Sequence, residues 1–254
     1  VRFRRMGYDA GMNSTTSPSR TVTKRPAGER GQANHGWLQA RFTFSFSEYF
    51  DPDHMGFQSL RVMNNDTIQA GGGFPKHPHS DMEIFTYVIE GQLAHQDSMG
   101  NGSTIEAGDL QYMSAGSGVT HSEYNPSSDN STHLYQVWLQ PSENGGEPRY
   151  AEKKLGDSAA PNALTLLFSG EGRDDSTAIR QNAEISFGRL DAGSALEIPS
   201  SDERPHVWLQ VISGEVKIAG ETLGTADGVA IQNDSASIPV EATAKTKFLL
   251  FRLS

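Results

Sequence analysis

The chain has 254 residues, 35% of them hydrophobic, and no cysteine, so it can bury a core but has no disulfides, thiolate metal sites or cysteine nucleophiles. Its 21 basic residues face 31 acidic ones, a formal charge of −10, which argues against a nucleic-acid surface. Mean hydropathy is −0.52, and no apolar run approaches the roughly 18 residues of a membrane-spanning helix.

Residues 1–34 carry seven Lys/Arg against two Asp/Glu, which leaves the remainder as the acidic body. The Ser/Thr/Pro-rich stretch Asn13 to Arg20 reads as part of a flexible tail over residues 1–20. Its basic residues precede no apolar run, so no secretory or twin-arginine leader is expected, and the expected compartment is the cytoplasm.

From Arg41 onward the pattern is β. ARFTFSF alternates aromatic and small residues with period two, which predicts Phe42, Phe44 and Phe46 on one strand face, packed between sheets. MEIFTYVIEG, DLQYMSAG and HLYQVWLQP are further strand-length segments bounded by turn residues, with DSMGNGS as a turn cluster. SENGGEPRYAEKKL holds a short helix at most. A second block from Ala163 repeats the theme with EISFGRL, HVWLQVISGEVKIAG, DGVAIQN and KFLLFRL. IFTYVIEGQL (Ile84 to Leu93) and VWLQVISGEV (Val207 to Val216) share apolar pattern and glycine placement. The reading is two tandem β-domains, 21–150 and 151–254, joined through the polar stretch Pro141 to Pro161.

Chemistry concentrates at Lys76-His77-Pro78-His79. Pro78 biases His77 to an extended backbone, so His77 and His79 project from one face. His121-Ser122-Glu123, 44 residues on, repeats the i, i+2 geometry. On neighbouring strands these pairs would offer three nitrogens and one oxygen to a cation, with open positions for water, substrate or dioxygen. Glycines frame both pairs: Gly71, His77, His79, Glu83 and Gly91 in one, Gly108, Ser114, Gly116, His121 and Asn125 in the other. These spacings resemble the two motifs of the cupin superfamily, whose common fourth ligand points to Glu83. Glu123 competes for that role because it shares a strand face with His121.

HPH with downstream HSEYN, together with NHGWL (Asn34 to Leu38), FTFSF and HQDSMGN (His95 to Asn101), resembles the pirin family over residues 21–254. The resemblance implies an all-β protein of two tandem cupin (jelly-roll type) barrels, with His77, His79, His121 and Glu123 as metal ligands. It implies one divalent transition metal, Fe(II) first, with Mn, Co, Ni, Cu and Zn as alternatives. The implied activity is dioxygenase cleavage of the central ring of flavonols such as quercetin, with release of carbon monoxide and Glu123 as catalytic base. The partners are then a flavonol and dioxygen. The alternative it implies is a metal-dependent regulatory protein acting through a protein partner, as a transcriptional or metabolic cofactor.

The apolar echo places Ser200 and Asp202 opposite His77 and His79, and the region near Val240 and Ala242 opposite His121 and Glu123, so the second domain is expected to bind no metal. His95 and His133 are expected to be structural, His35 and His54 exposed, and His206 a packing residue.

Overall fold

Twenty-two strands and one 3-10 turn, Ala27–Glu29, make up the regular structure of the computed structural model, which describes residues 19–155, 159–233 and 236–254. The tail expected over residues 1–20 lies, apart from its last two residues, outside the described residues.

The leading barrel pairs a seven-stranded with a four-stranded sheet. The larger runs β12 (Arg149–Lys154), β9 (Asp109–Ser114), β6 (Glu83–Glu90), β11 (Thr132–Leu139), β4 (Leu60–Ile68), β3 (Leu38–Phe42) and β2 (Gly31–Asn34). The smaller runs β5 (Gly73–His79), β10 (Val119–Tyr124), β7 (Gln92–Asp97) and β8 (Gly102–Glu106). The second barrel repeats this. Its larger sheet is β1 (Thr21–Arg25), β20 (Gly228–Gln232), β17 (His206–Ser213), β22 (Thr246–Leu253), β15 (Ala183–Leu190), β13 (Ala163–Ser169) and β14 (Thr177–Ala178). Its smaller sheet is β16 (Ala195–Ile198), β21 (Ile238–Ala242), β18 (Val216–Ile218) and β19 (Glu221–Leu223). This is the expected all-β, two-barrel architecture.

The sequence echo has a structural cause. Gly91 and Gly214 turn β6 into β7 and β17 into β18 with φ of +79° and +88°. A Cβ at Gly91 would meet Ser131 O at 2.8 Å, and at Gly214 Lys245 O at 2.3 Å. In both hairpins a threonine hydroxyl closes the turn: Thr132 Oγ1 donates to Gln92 O at 2.5 Å, and Thr246 Oγ1 to Glu215 O at 3.0 Å.

The central strands of the two larger sheets, β6, β9, β17 and β22, are buried on both faces, which explains their near-continuous apolar runs. In β6, Ile84 and Val88 point into the leading barrel, while Phe85 and Tyr87 point outward to the second. In β22, Phe248 and Leu250 face inward and Leu249, Phe251 and Leu253 outward. The outward faces form one shared core. There Phe85 meets Phe168 with ring centroids at 4.9 Å, Tyr112 meets Phe168 at 5.4 Å, and Phe44 meets Trp208 at 5.1 Å, distances at which aromatic pairs attract.

Three expectations need correction. The boundaries at 20/21 and 150/151 do not follow the sheets, because β1 pairs β20 of the second barrel and β12 pairs β9 of the first. The segment read as a short helix contains β12, recruited by the open edge of β9. The FTFSF aromatics do not share a face. The strand ends at Phe42, after which Phe44 turns to Trp208 between the barrels and Phe46 to Phe42 and Trp138 inside the first.

Candidate metal centre

The histidine pairs meet because β5 and β10 are adjacent and antiparallel, with His121 opposite His77 and Val119 opposite His79. Imidazole nitrogens of His77, His79 and His121 all lie within 4.8 Å of one another. The Nε2 atoms of His77 and His121 are 3.0 Å apart. Among the described residues this is the one such group of three or more metal-ligating side chains. His77 Nδ1 lies 2.8 Å from Pro75 O. A carbonyl can only accept, so Nδ1 keeps its proton and Nε2 presents a lone pair, the usual arrangement behind a ligating imidazole. Bonds of about 2.1 Å at right angles put neighbouring donors roughly 3.0 Å apart, so the donor set fits a divalent transition ion. Burial, then His77, lowers the His79 pKa to about 4. Burial, then His77, His79 and His95, lowers that of His121 to about 3.

Glu123 stands beside this group, outside its 4.8 Å circle. The register between β5 and β10 shifts here, with an extra residue on β5, but β10 stays in step with β7, so i, i+2 spacing leaves both His121 and Glu123 buried on one face. Gln136 Nε2 donates to Glu123 Oε2 at 3.0 Å and Thr86 Oγ1 to Oε1 at 3.4 Å. Asn64, Gln136, Thr86 and Gln111 are consecutive cross-strand partners on β4, β11, β6 and β9, a polar row across an otherwise apolar sheet. Burial raises the Glu123 pKa to about 7, against the pull of Gln136, Thr86 and Gln111.

Glu83 faces the other way. Three residues before Thr86 on β6, it points between the barrels, where Tyr112 Oη donates to Oε2, Ser114 Oγ to Oε1 at 2.5 Å, and Arg180 N to Oε2 at 3.1 Å. Strand parity therefore turns Glu83 away from the histidines.

His77, His79 and Glu123 line a cavity of about 410 Å³. A run of aromatic contacts leads inward from the cluster: His79 to Trp138 at 4.9 Å, Trp138 to Phe46 at 5.5 Å, Phe46 to Phe42 at 5.6 Å. Trp37 and Phe74, edge to face at 5.1 Å, add a further wall. The space suits a flat, largely apolar molecule with one polar edge.

A protein of Escherichia coli K12 named quercetin 2,3-dioxygenase is 48% identical over 231 residues, spanning 90% of this chain and 97% of that protein. The chain belongs to the pirin family. Residues 23–139 match the family model described as Pirin, and residues 166–253 the one described as quercetinase C-terminal cupin domain. A pirin-like protein of Caulobacter vibrioides is 38% identical over 230 residues, 90% of this chain and 98% of that one. The crystal structure of the bacterial pirin YhhW from Escherichia coli in complex with nickel(II) matches with a TM-score of 0.87 at 45% identity, covering 92% of this chain and 99% of that one.

Among the described residues of this pirin, the second barrel has no counterpart to the cluster. Counting from Gly91 and Gly214, His95 corresponds to Ile218. Glu123, opposite His95, then corresponds to Val240, opposite Ile218. His121 falls on Ile238 and His77, its partner, on Ile198. All four are buried in one apolar cluster that fills the barrel. Ser200 and Asp202, expected opposite His77 and His79, instead lie exposed beyond the end of β16, because the register is two residues away from the ungapped alignment.

Of the other histidines, His133 Nε2 lies 2.8 Å from Asn65 Nδ2. His206 Nδ1 receives Asn233 N at 3.4 Å. His54 is half-buried against Asp51 at 2.8 Å, not fully exposed. His35 is exposed at the cavity. His95 is 3% exposed, stacked on Tyr150 at 4.9 Å and 5.3 Å from the His121 ring. It backs the cluster without joining it. Sequence reasoning passed over Asn64, Asp66, Thr86, Gln111 and Gln136. The signal for Asn64 and Asp66 was present in β4, where polar residues occupy the inward positions between Val62 and Ile68.

Proposed function

We propose that this pirin opens the central ring of flavonols such as quercetin with dioxygen, releasing carbon monoxide. His77, His79 and His121 would hold a divalent transition metal, with Glu123 completing the donor set. Fe(II) is our first choice among ions suited to nitrogen and oxygen donors, a class that includes Mn, Co, Ni, Cu and Zn. The observation that carries the reading is the meeting of three imidazoles with a buried, nearly neutral-titrating carboxyl at the end of an aromatic cavity. The name of the Escherichia coli relative and the nickel(II) in YhhW support it.

The bound metal would supply the positive charge that makes a flavonol hydroxyl easier to deprotonate. This chain's own residues do the rest. Phe42, Phe46 and Trp138 flank the flat rings and keep water from the reacting edge. Glu123, the carboxylate beside the three imidazoles, accepts the hydroxyl proton as general base. Gln136 and Thr86 fix the carboxylate while it does so. The electron-rich ring is then attacked by dioxygen, whose two atoms enter the cleaved product as carbon monoxide leaves.

The test is quercetin added to metal-loaded protein, first without and then with oxygen, following flavonol absorbance, oxygen uptake and carbon monoxide. The expected result is metal-dependent loss of flavonol matched by oxygen uptake, reduced about a hundredfold or more in Glu123→Gln. Metal-independent decay, or full turnover by that variant, would overturn the scheme.

A further inference from the structure

Asp66 lies on the cavity wall at 3% exposure, and its Oδ1 atom has no hydrogen-bond partner. Asn64, two residues earlier on the same inward face of β4, is also 3% exposed, and its Oδ1 is likewise unpartnered. An unsatisfied buried polar atom is costly, and native proteins rarely keep one without a reason. Val62 and Ile68, next on the same face, are apolar, and the counterpart barrel is filled by aliphatic side chains. The fold could therefore accept an apolar residue at position 66.

Cross-strand register places the pair relative to the chemistry. Trp138, which touches His79, stands opposite Val62. Gln136, which holds Glu123, stands opposite Asn64, and Leu134 opposite Asp66. Going along β4 from the histidine end, the rows are aromatic wall, base row, then Asp66, each about 7 Å further on. A flat ligand with its oxygen edge at the histidines and Glu123 would extend its far ring toward Asp66.

We propose that Asp66 Oδ1 and Asn64 Oδ1 form a hydroxyl-recognition subsite, so that the substrate class is a flavonol carrying phenolic hydroxyls on the ring remote from the reacting edge. This rests on the flavonol reading for the orientation of the ligand. Asn64 Oδ1 is an acceptor, the Asp66 carboxyl keeps an acceptor oxygen whether or not it carries a proton, a phenol is a donor, and the Trp37–Phe74 and Phe42–Phe46 walls enclose the ring between them. A ligand without the hydroxyl leaves both acceptors bare, which is how a polar pocket rejects it.

The probes are quercetin and unsubstituted 3-hydroxyflavone, which share the reacting edge and differ in ring hydroxyls. Binding to metal-loaded protein is read anaerobically from quenching of Trp37 and Trp138 fluorescence, for wild type and for Asp66→Leu, with Asp66→Ala as the second variant. Wild type should bind quercetin at least about tenfold more tightly than 3-hydroxyflavone. In the variants that ratio should fall to near unity, while Asp66→Leu melts no lower than wild type, an outcome that a structural role for Asp66 would not give. An unchanged ratio, or no preference in wild type, overturns the subsite. If the ratio collapses as stated yet neither compound is consumed in air, the dioxygenase reading fails and the subsite stands. If both are consumed and the ratio ignores position 66, the reverse holds.

Discussion

His77 Nε2 and His121 Nε2 stand 3.0 Å apart although 44 positions separate the residues in the chain. Two lone pairs cannot face each other at that distance without a proton or a cation between them. We therefore expect His121→Ala to reduce bound metal from about one ion per chain to below about a tenth of that. His206→Ala, in the second barrel, should leave it unchanged. Elemental analysis of protein purified without a metal-affinity column reads both.

Glu123 makes metal binding depend on pH in a way that free imidazoles would not. Burial raises its pKa to about 7, so at pH 6 the folded apoprotein holds a proton there that a cation must displace. His79 and His121, lowered to about 4 and about 3, have no proton to lose at that pH. Calorimetry at pH 6 in two buffers of different ionisation enthalpy should show close to one more proton released per metal by wild type than by Glu123→Gln. The difference should vanish above pH 8. Equal release at pH 6 would remove Glu123 from the donor set.

Glu83 is predicted to matter for stability and not for metal. It accepts from Tyr112, Ser114 and Arg180 N in the seam between the barrels. Hydrogen bonds to a charged group contribute about 1.5–3 kcal/mol each, so Glu83→Gln should lower unfolding free energy by about 2 kcal/mol in a urea titration. Its metal content should equal that of wild type. Loss of metal in this variant would restore Glu83 as the ligand.

Asp66 shapes the pH profile of the apoprotein. Burial, then Glu123, raises its folded pKa to about 8 from 3.8. Between those values the folded state keeps a proton that the unfolded state releases, so the stabilisation is full below pH 3.8 and is lost as pH rises through 8. His79 and His121, whose pKa values fall on folding, act oppositely, and their contribution is complete above their unfolded value of 6.5. The apoprotein's melting temperature should therefore decline from pH 6.5 to 8.5. Asp66→Asn should flatten that decline, as scanning calorimetry would show.

The cluster was legible because i, i+2 spacing on an extended segment fixes a common side, as with His77 and His79, and the paired glycines at 91 and 214 exposed the duplication. Other features depend on distant pairing, which leaves no local trace. The segment Arg149–Lys154 carries a helix-compatible composition, and only the free edge of β9 makes it a strand. Phe42, Phe44 and Phe46 alternate in sequence, but the chain bends after Phe42 and sends Phe44 to the core between the barrels while Phe46 rejoins Phe42 inside the first. Ungapped counting from the echo reached Ser200 instead of Ile198, since loops between equivalent strands differ in length.

The position of β1 bears on synthesis as well as architecture. Thr21 pairs Gln232, 211 positions later, so β1 must wait unpaired during synthesis until the whole first barrel and most of the second have followed it. A fragment ending near residue 150 would carry the histidines yet display β1 as an unmatched edge together with the bared aromatic flank of its larger sheet, a species prone to aggregate. Supplied with the complementary fragment in trans, it should regain solubility by capturing β20.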